Sequence, residues 1–594
     1  MTKLNGAEII CEQLVKEGVP YAIGLCGHGI IGFMAALHTY RDKIKTITPR
    51  HEAVAGFMAD AYFRVKHKPI ATFTSCGPGS AQLISGLASA MMDSSSFLAI
   101  TGNVATSQFN RGPFQESYRH YQAEFPAALR PFVKRSFQPT RVDMLPLAVR
   151  QAFDVMLTGR PGPVNLDVPL NVFVEEGELG DQYKWKRGVS NRSQGHPDIV
   201  KQALAMLVNA KQPLILAGNG AVLSEASTEL KDFAHALNIP VINTPLAKGV
   251  IDMRDSLAMG DTGRNGTHAA NELARRCDVL LVMGSGLDDR VASGWIPGYT
   301  FNIPPTKLIQ VDIDPAEMGR NYPTELGILG DVKAVLEQML AMIKERGIKP
   351  RSGDDPWLTM GRKCRTEWDA FNAPATKSDQ APCHPARVIC DLQAALPEDG
   401  ILLTDVGSHT NWVNMFFQGH HPQQVLQSYG WAAMTFSVAG VLGAKLAAPE
   451  RPCVAVCGDG GFSMAPHVVS TAVEYDLPVV WIVWNNYGWC SIRDMQIGNF
   501  KNEIGTSFKE HASDELFNPD FAAMARAMGG GGIRVEKPAD FKPALVEALA
   551  AGKPYVLDVM IDRTIKPPAT GSWELPPMQP PEPNYGSRYL PDGN

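Results

Sequence analysis

The amino-acid sequence predicts an α/β protein of three domains, each built around a parallel sheet. Short runs of β-branched residues alternate with amphipathic stretches along the chain, the pattern of parallel strands joined by helices. The length of 594 residues corresponds to three or four domains of typical size. Polar stretches at 178–197 and 344–355 interrupt the alternation. We therefore divide the chain into domains at 1–180, 195–348 and 375–563, followed by a tail at 564–594.

The predicted strands are short, mostly apolar runs. In the first domain they are Tyr21–Gly24, Ile44–Thr48, Ile70–Thr74, Phe97–Thr101 and Val164–Val168. In the second they are Leu214–Gly218, Val241–Thr244, Val279–Gly284 and Leu308–Asp314, followed by a helix near 331–346. In the third they are Ile401–Asp405, Cys453–Cys457, Val479–Trp484 and Tyr555–Val559. The tail contains several proline pairs and is predicted to be extended.

The composition excludes several classes of partner. A net charge of −6 gives no basic surface for nucleic acid or for an anionic membrane. The ten cysteines include no CxxC pair, and their spacings do not suit a zinc site, which favours reduced thiols. The N-terminus lacks the apolar core of a signal peptide, and no apolar run is long enough to span a bilayer. We therefore predict a cytoplasmic protein.

A glycine-rich turn directly follows the predicted strand Cys453–Cys457. Its residues, Gly458–Gly461, precede a predicted helix, so backbone N–H groups can approach phosphate oxygens. Within the turn, Asp459 offers the hard oxygen ligand that Mg²⁺ prefers. The next predicted strand ends at Asn485-Asn486, with Asn486 27 residues after Asp459. These features predict a phosphate and magnesium site.

Glu52 is the candidate acid. Small or apolar residues at 53, 56, 57 and 61 follow it, which is consistent with a buried helix face. A carboxyl group in an apolar site has a raised pKa and can hold or give a proton near neutrality.

Glu52 in its segment Thr48–Gly56, together with Gly458–Gly461 and Asn485-Asn486, resembles the thiamine-diphosphate (ThDP) enzymes. The similar superfamily is that of acetohydroxyacid (acetolactate) synthase, pyruvate oxidase and 2-hydroxyacyl-CoA lyase. The resemblance implies two flavodoxin-like, doubly wound domains, which bind the pyrimidine and the diphosphate, flanking a Rossmann-like middle domain. It also implies that Glu52 protonates the pyrimidine N1′, which leads to the reactive C2 ylide.

The resemblance extends to further site residues. It implies that Met434 wedges between the two cofactor rings, after Ala432 where relatives often have glycine. It places Gln115 near the nascent carbanion and His28 on the substrate side, where synthases commonly have glycine. The implied metal ligands are Asp459, Asn486 and the carbonyl of Gly488, and the other implied cofactor contacts are Gly27, Gly77, Gly407, Ser408, His409, Gly458, Gly460, Gly461 and Asn486.

The middle domain resembles the FAD-holding domain of acetohydroxyacid synthases. The matching segments are 278–291, which contains Arg290, and 311–317, and Gly330-Asp331-Val332 resembles the segment that meets the adenine. Gly286 stands where those enzymes carry an arginine. FAD, ADP or an empty domain all remain open.

The function implied is a ThDP- and Mg²⁺-dependent carboligase or lyase acting on a 2-oxo acid, similar to acetolactate synthase. A decarboxylase, or a C–C lyase of a 2-hydroxyacyl-CoA or diketone, is the alternative, which His28 favours, as does Met495 in place of a pocket tryptophan. A non-catalytic ThDP-binding subunit and a purely FAD- or NAD-dependent oxidoreductase are further alternatives. Because relatives hold the cofactor between two subunits, the resemblance implies a homodimer or homotetramer.

Overall fold

The computed structural model describes residues 3–115, 125–178 and 192–568. In the first domain the strands are β1 (Lys3–Asn5), β2 (Tyr21–Gly24), β3 (Lys45–Ile47), β4 (Ala71–Thr74), β5 (Leu98–Asn103), β6 (Arg135–Phe137), β7 (Val164–Pro169) and β8 (Glu176–Glu178). The helices are α1 (Gly6–Lys16), α2 (Ile31–Thr39), α3 (Glu52–Lys66), α4 (Pro78–Gln82), α5 (Ile84–Met92), α6 (Phe125–Leu129), α7 (Leu145–Leu157) and α8 (Leu170–Val174).

The middle domain follows the same alternation of strand and helix. Its strands are β9 (Pro213–Ala217), β10 (Val241–Asn243), β11 (Ala258–Asp261), β12 (Val279–Met283), β13 (Lys307–Asp312) and β14 (Leu326–Leu329). Its helices are α9 (Pro197–Asn209), α10 (Asn219–Leu223), α11 (Ser227–Leu237), α12 (His268–Arg276) and α13 (Val332–Arg346). The predicted helix near 331–346 is α13, which begins after the side chain of Asp331 caps it.

The third domain is preceded by the long connecting helix α14 (Pro356–Thr376). Its strands are β15 (Ile401–Thr404), β16 (Val425–Gln427), β17 (Cys453–Gly458), β18 (Val480–Asn485), β19 (Gly531–Val535) and β20 (Tyr555–Met560). Its helices are α15 (Pro385–Ala395), α16 (Ser408–Phe416), α17 (Phe436–Ala447), α18 (Asp459–Met464), α19 (Val468–Glu474), α20 (Cys490–Phe500), α21 (Phe521–Ala527) and α22 (Pro538–Ala550).

The strand order confirms the predicted fold class. The first sheet runs β3-β2-β4-β5-β7-β6 and the third runs β16-β15-β17-β18-β20-β19, so both have the order 2-1-3-4-6-5 when each sheet's strands are numbered from one. The middle sheet runs β11-β10-β9-β12-β13-β14, the order 3-2-1-4-5-6 of a Rossmann fold. All neighbouring strands in the three sheets are parallel, and only the small β1–β8 pair is antiparallel among the described strands.

A parallel sheet of this kind binds ligands where its strand order reverses, outside the carboxyl ends of the strands. This point lies between β2 and β4 in the first sheet and between β15 and β17 in the third. A ligand site is therefore expected at the loops that follow these four strands.

Helices α3 and α17 join the first and third domains into one hydrophobic core. Arg64 near the end of α3 lies over the ring of Phe436 at the start of α17, 4.8 Å from its centroid. A Cβ on Gly443 would overlap the backbone of Met58, so the helix backbones are in contact there. The two helices are therefore antiparallel, and we call this contact the glycine seam.

Among the described residues, no helix is long and apolar enough to cross a membrane. Most of the polar stretch 178–197 and the tail beyond residue 568 lie outside the described residues.

Candidate active site

The loops after β15 and β17 meet at the switch point of the third sheet. Gly407 precedes α16, and a Cβ on it would lie 2.7 Å from the ring of His409. Gly458 precedes α18, whose first residue is Asp459. We call Asp405–His409, Ala432–Thr435, Gly458–Gly461 and Asn486–Gly488 together the second half-site.

Asp459 lies at the centre of the second half-site. It is buried, and its Oδ2 accepts the backbone N–H groups of Asn486 at 3.2 Å and Gly488 at 3.1 Å. The side-chain amide of Asn518 donates to the same oxygen at 2.8 Å. Burial raises the pKa of Asp459 to about 6, against these hydrogen bonds.

The donor set of this loop fits a divalent metal ion. The Oδ1 of Asn486 is buried and has no hydrogen-bond partner within the described part of the chain. The carbonyl of Gly488 accepts the N–H of Cys490 at 2.9 Å and keeps a second lone pair. Carboxylate, amide and carbonyl oxygens are the ligands that Mg²⁺ prefers, so Asp459, Asn486 and Gly488 could hold it.

Asp405 is a buried carboxyl group that the sequence did not bring to notice as a site residue. Its Oδ2 accepts the N–H of Thr435 at 2.9 Å, and its Oδ1 has no partner among the described residues. A Cβ on Gly461 would overlap Oδ2, so only glycine leaves room there. Asp405 therefore connects three loops of the second half-site. Burial raises its pKa to about 7.

The raised pKa of Asp405 makes the stability of the cofactor-free protein depend on pH. Its carboxyl loses a proton near pH 4 in the unfolded chain but only near 7 in the folded chain. The free energy of unfolding should therefore fall between these values as pH rises, by an amount on the order of 4 kcal/mol. Asp405→Asn should lose this component in denaturant titrations at several pH values. An identical slope in both proteins would contradict the assignment.

The segment from Ala432 to Thr435 has an unusual backbone. Ala432 has φ 54° and Thr435 has φ 81°, both in the left-handed region. Glycine adopts this region without steric cost, whereas Ala432 holds it at a cost in free energy. Met434 is half-buried between them, in the segment that leads into α17.

A buried charge cluster from the first domain holds the start of this segment. The carboxylate of Asp93 accepts the backbone N–H groups of Tyr429 at 2.8 Å and Gly430 at 2.7 Å. Arg64 pairs with Asp93 at 3.0 Å and with Asp60 at 2.7 Å. Because all three charged side chains are nearly or fully buried, the cluster fixes the path of the chain toward Met434.

Asp93→Ala should destabilise the protein by roughly 3–5 kcal/mol, because it leaves the buried Arg64 guanidinium and two backbone N–H groups undercompensated. Denaturant unfolding would measure the loss. The matched control is Asp143→Ala, which breaks an exposed pair with Arg141 and should change stability little. Equal stability of the two variants would show that the cluster does not hold the segment.

Glu52 begins α3 in the first domain. Gly56, Phe57 and Ala61 of the predicted apolar face are buried, and Glu52 itself is half-buried. The Oε1 of Glu52 lies 3.1 Å from the position of a Cβ on Gly79. The preceding His51 caps the helix, since its side chain accepts the N–H of Ala53 at 3.1 Å.

The loops after β2 and β4 lie at the same edge of the first sheet. The N–H of Gly29 donates to the hydroxyl of Ser75 at 3.1 Å, and a Cβ on Gly27 would overlap that serine. Gly77 has φ 61°, and a Cβ on it would overlap the backbone of Gln115. His28 is exposed, on the same loop as Gly27. We call Gly27–Gly29, Glu52, Ser75–Gly79 and Gln115 together the first half-site.

Within one chain the glycine seam separates the two half-sites. Glu52 lies six residues before Met58 on α3, and Thr435 lies eight residues before Gly443 on α17. The helices are antiparallel, so these residues lie in opposite directions from the contact, roughly 20 Å apart at 1.5 Å per residue. The residues around Glu52 instead contact the end of α19, where the N–H of Thr48 donates to the hydroxyl of Tyr475, the residue after the helix, at 2.9 Å.

In the middle domain, Arg290 lies over the ring of Tyr429, 4.5 Å from its centroid. Gly286 faces an ion cluster, because Glu317 pairs with Arg320 at 2.9 Å and with Arg160 at 2.9 Å. The side chain of Asp331 is engaged by the hydroxyl of Ser224 at 2.8 Å. The groups that would meet a flavin by resemblance are therefore engaged by the chain itself.

The fold and the site define a class of protein. It is a three-domain α/β enzyme in which the first and third sheets have the same strand order. The loops of the third sheet carry the glycine turn with Asp459, and the loops of the first sheet carry Glu52. Three family profiles match the chain. They are the thiamine pyrophosphate enzyme N-terminal TPP binding domain over residues 4–123, the central domain over 200–339 and the C-terminal TPP binding domain over 405–559.

The curated relatives cover nearly the full chain. A probable acetolactate synthase large subunit of Methanocaldococcus jannaschii is 33% identical over 94% of this chain and 92% of its own length. The acetolactate synthase isozyme 3 large subunit of Escherichia coli is 30% identical over 98% and 97%, and the large subunit of Haemophilus influenzae is 30% identical over 95% and 96%.

The chain belongs to the thiamine-pyrophosphate enzyme family, in its acetolactate synthase branch. The predictions of a ThDP-dependent enzyme of this type, and of a carboligase acting on 2-oxo acids, are confirmed at that level.

Proposed function

We propose that the protein joins two 2-oxo acid molecules with loss of CO₂, pyruvate giving acetolactate. The observation that carries the proposal is the second half-site, where buried Asp459 lies beside a glycine turn together with the amide oxygen of Asn486, which has no partner among the residues that the structure describes. It occurs in a chain about one-third identical to acetolactate synthase large subunits over almost its whole length.

In this proposal each half-site has its own task. Asp459, Asn486 and the carbonyl of Gly488 hold Mg²⁺, and the backbone N–H groups after Gly407 and Gly458 bind the diphosphate oxygens. Ala432 and Met434 supply further contacts to the cofactor. ThDP, when bound, supplies the electron sink that lets a 2-oxo acid lose CO₂. Glu52 holds and moves the proton that the cofactor requires.

The first half-site also faces the substrate in this proposal. Gln115 lies against Gly77, and the imidazole of His28 is exposed on the same loop as Gly27. His28 is also the residue that favours the second candidate, a decarboxylase or C–C lyase.

The experiment that tests the proposal is incubation with ThDP, Mg²⁺ and pyruvate, with CO₂ and acetolactate quantified together. Acetolactate formed in step with CO₂ would support the carboligase. CO₂ without acetolactate would support a decarboxylase. Neither product, from protein that holds ThDP, would overturn the proposal in favour of a lyase with a larger or CoA-linked substrate.

We further propose that the active unit is at least a homodimer. The two half-sites of one chain lie about 20 Å apart, along helices rising 1.5 Å per residue. Since Glu52 and Asp459 serve one cofactor, the Glu52 of each site belongs to a second copy. In a two-fold dimer each chain contributes one half-site to each of two cofactors.

A mixture of two inactive variants should therefore regain activity. Glu52→Gln and Asp459→Ala each spoil both sites of their own homodimer, but a mixed dimer contains one intact site. Random pairing of equal amounts should restore roughly a quarter of wild-type activity in a two-fold dimer. The measurement is specific activity after the chains are mixed under conditions that allow exchange. No recovery, with exchange verified by tagged chains, would contradict a shared site.

For the middle domain we propose that no FAD is bound. The residues fit a flavin poorly, because Gly286 replaces the expected arginine and Glu317 with Arg320 fills the adjacent space. No step of the reaction is assigned to a flavin. Chromatography of nucleotides released on denaturation distinguishes ADP, FAD and neither.

A further inference from the structure

Three side chains from distant parts of the sequence converge in the middle domain. His268 is the first residue of α12, and Cys364 and Glu367 lie three residues apart on α14. Their ligand atoms, one from each residue, all lie within 4.8 Å of one another. His268 and Cys364 are buried, and Glu367 is half-buried.

We propose that His268, Cys364 and Glu367 bind one divalent transition-metal ion, for which zinc is the best match, with water as a fourth ligand. An imidazole nitrogen, a thiolate and a carboxylate are the donors of zinc sites, and the thiolate disfavours Mg²⁺. Tetrahedral ligands lie roughly 3.5 Å apart, so side-chain shifts of about 1 Å would close this set around an ion.

Binding an ion requires Glu367 to leave its ion pair with Lys363, in which the nitrogen and oxygen lie 3.5 Å apart. Coordination releases the thiol proton of Cys364, because the thiolate is the form that binds a metal ion. The resulting thiolate and the Glu367 carboxylate balance the two positive charges of the ion.

The acidic side chain of α12, Glu272, is already paired with arginines. Glu272, one turn after His268, pairs with Arg275 and with Arg276, the latter at 3.0 Å. Glu272 is therefore engaged in ion pairs rather than offered as a fourth ligand.

The position indicates a structural role. Helix α12 flanks the middle sheet, and α14 connects the middle domain to the third. The three residues belong to neither half-site. A bound ion would fasten the connecting helix to the middle domain, so it should stabilise the protein without entering the reaction.

The test uses full-length protein stripped with a chelator and then equilibrated with zinc in the presence of excess Mg²⁺, which occupies sites built from oxygen ligands. We expect one zinc per chain that resists gel filtration and raises the melting temperature. Cobalt in its place should give a thiolate-to-metal charge-transfer absorption. Cys364→Ser should abolish that absorption and weaken zinc binding roughly tenfold or more.

Cys390→Ser is the matched control, because this thiol lies on α15 outside the cluster, and it should bind zinc like the wild type. If Cys364→Ser fails to fold, Glu367→Gln removes a half-buried ligand and should also weaken zinc binding. Absence of the cobalt–thiolate absorption in the wild-type protein would overturn the proposal. Equal zinc binding by wild type and Cys364→Ser would do so too.

Discussion

Glu52→Gln should bind ThDP as tightly as the wild type and lose activity by about 10²- to 10⁴-fold, the range of general acid–base contributions. Glutamine keeps the shape of the side chain and one hydrogen-bonding oxygen. It cannot hold an ionisable proton, so only the proton-transfer task is removed.

The measurement pairs acetolactate formation with ThDP titration of the same preparation. Glu547→Gln is the matched control, since this residue lies on α22, where it accepts a hydrogen bond from Tyr555 at 2.9 Å. The control should turn over normally. A Glu52→Gln protein with normal turnover would refute the role of Glu52.

Asp459→Ala should fail in the opposite way, by losing the metal and the cofactor. It removes a proposed metal ligand and the acceptor that holds the N–H groups of Asn486 and Gly488. Loss of a hydrogen-bonded charge costs about 1.5–3 kcal/mol, so retention of ThDP should weaken at least roughly 10- to 100-fold.

ThDP and Mg²⁺ per chain after gel filtration would measure this loss. Asp540→Ala, an exposed substitution on α22, should retain both. Full occupancy in Asp459→Ala would remove the anchor assignment. The contrast between an occupied but inactive Glu52→Gln and an empty Asp459→Ala separates proton transfer from binding.

The sequence predicted the fold class because central strands carry a strong hydrophobic signal. A strand such as Val480–Asn485 is buried along its whole length, so nearly all of its residues are apolar. The strands missed in the three large sheets, β6, β11, β14, β16 and β19, all lie at sheet edges. Edge strands are short or partly polar, as in Arg135–Phe137, and local periodicity cannot distinguish them from loops.

The sequence predicted residues of the candidate site only where a reactive side chain comes soon after the end of a predicted strand. Asp459 and Glu52 lie in short motifs that can be read locally. Asp405 and Asn518 could not be found this way, because their importance depends on contacts with Thr435 and Asp459 that only the fold creates. Asp405 alone had a usable signal, because it is a polar residue at the end of a predicted strand.

Groups of residues that lie far apart in the chain could not be predicted from the sequence, for the same reason. The Arg64–Asp60–Asp93 cluster acts on residues more than 300 positions away, at Tyr429. His268 and Cys364 are 96 positions apart. Cysteine spacing tests only ligands that are close in sequence, so it did not bear on the proposed set of His268, Cys364 and Glu367.

The glycine seam fixes the distance between the two half-sites of a subunit. Because α3 and α17 touch backbone to backbone at Gly443, neither can slide or tilt without breaking the contact. In a two-fold dimer that shares its sites, each seam acts as a rigid spacer between two catalytic centres. A larger residue at Gly443 would displace one wall of each of the two catalytic centres. A single substitution far from either reaction would therefore shift both half-sites of every subunit.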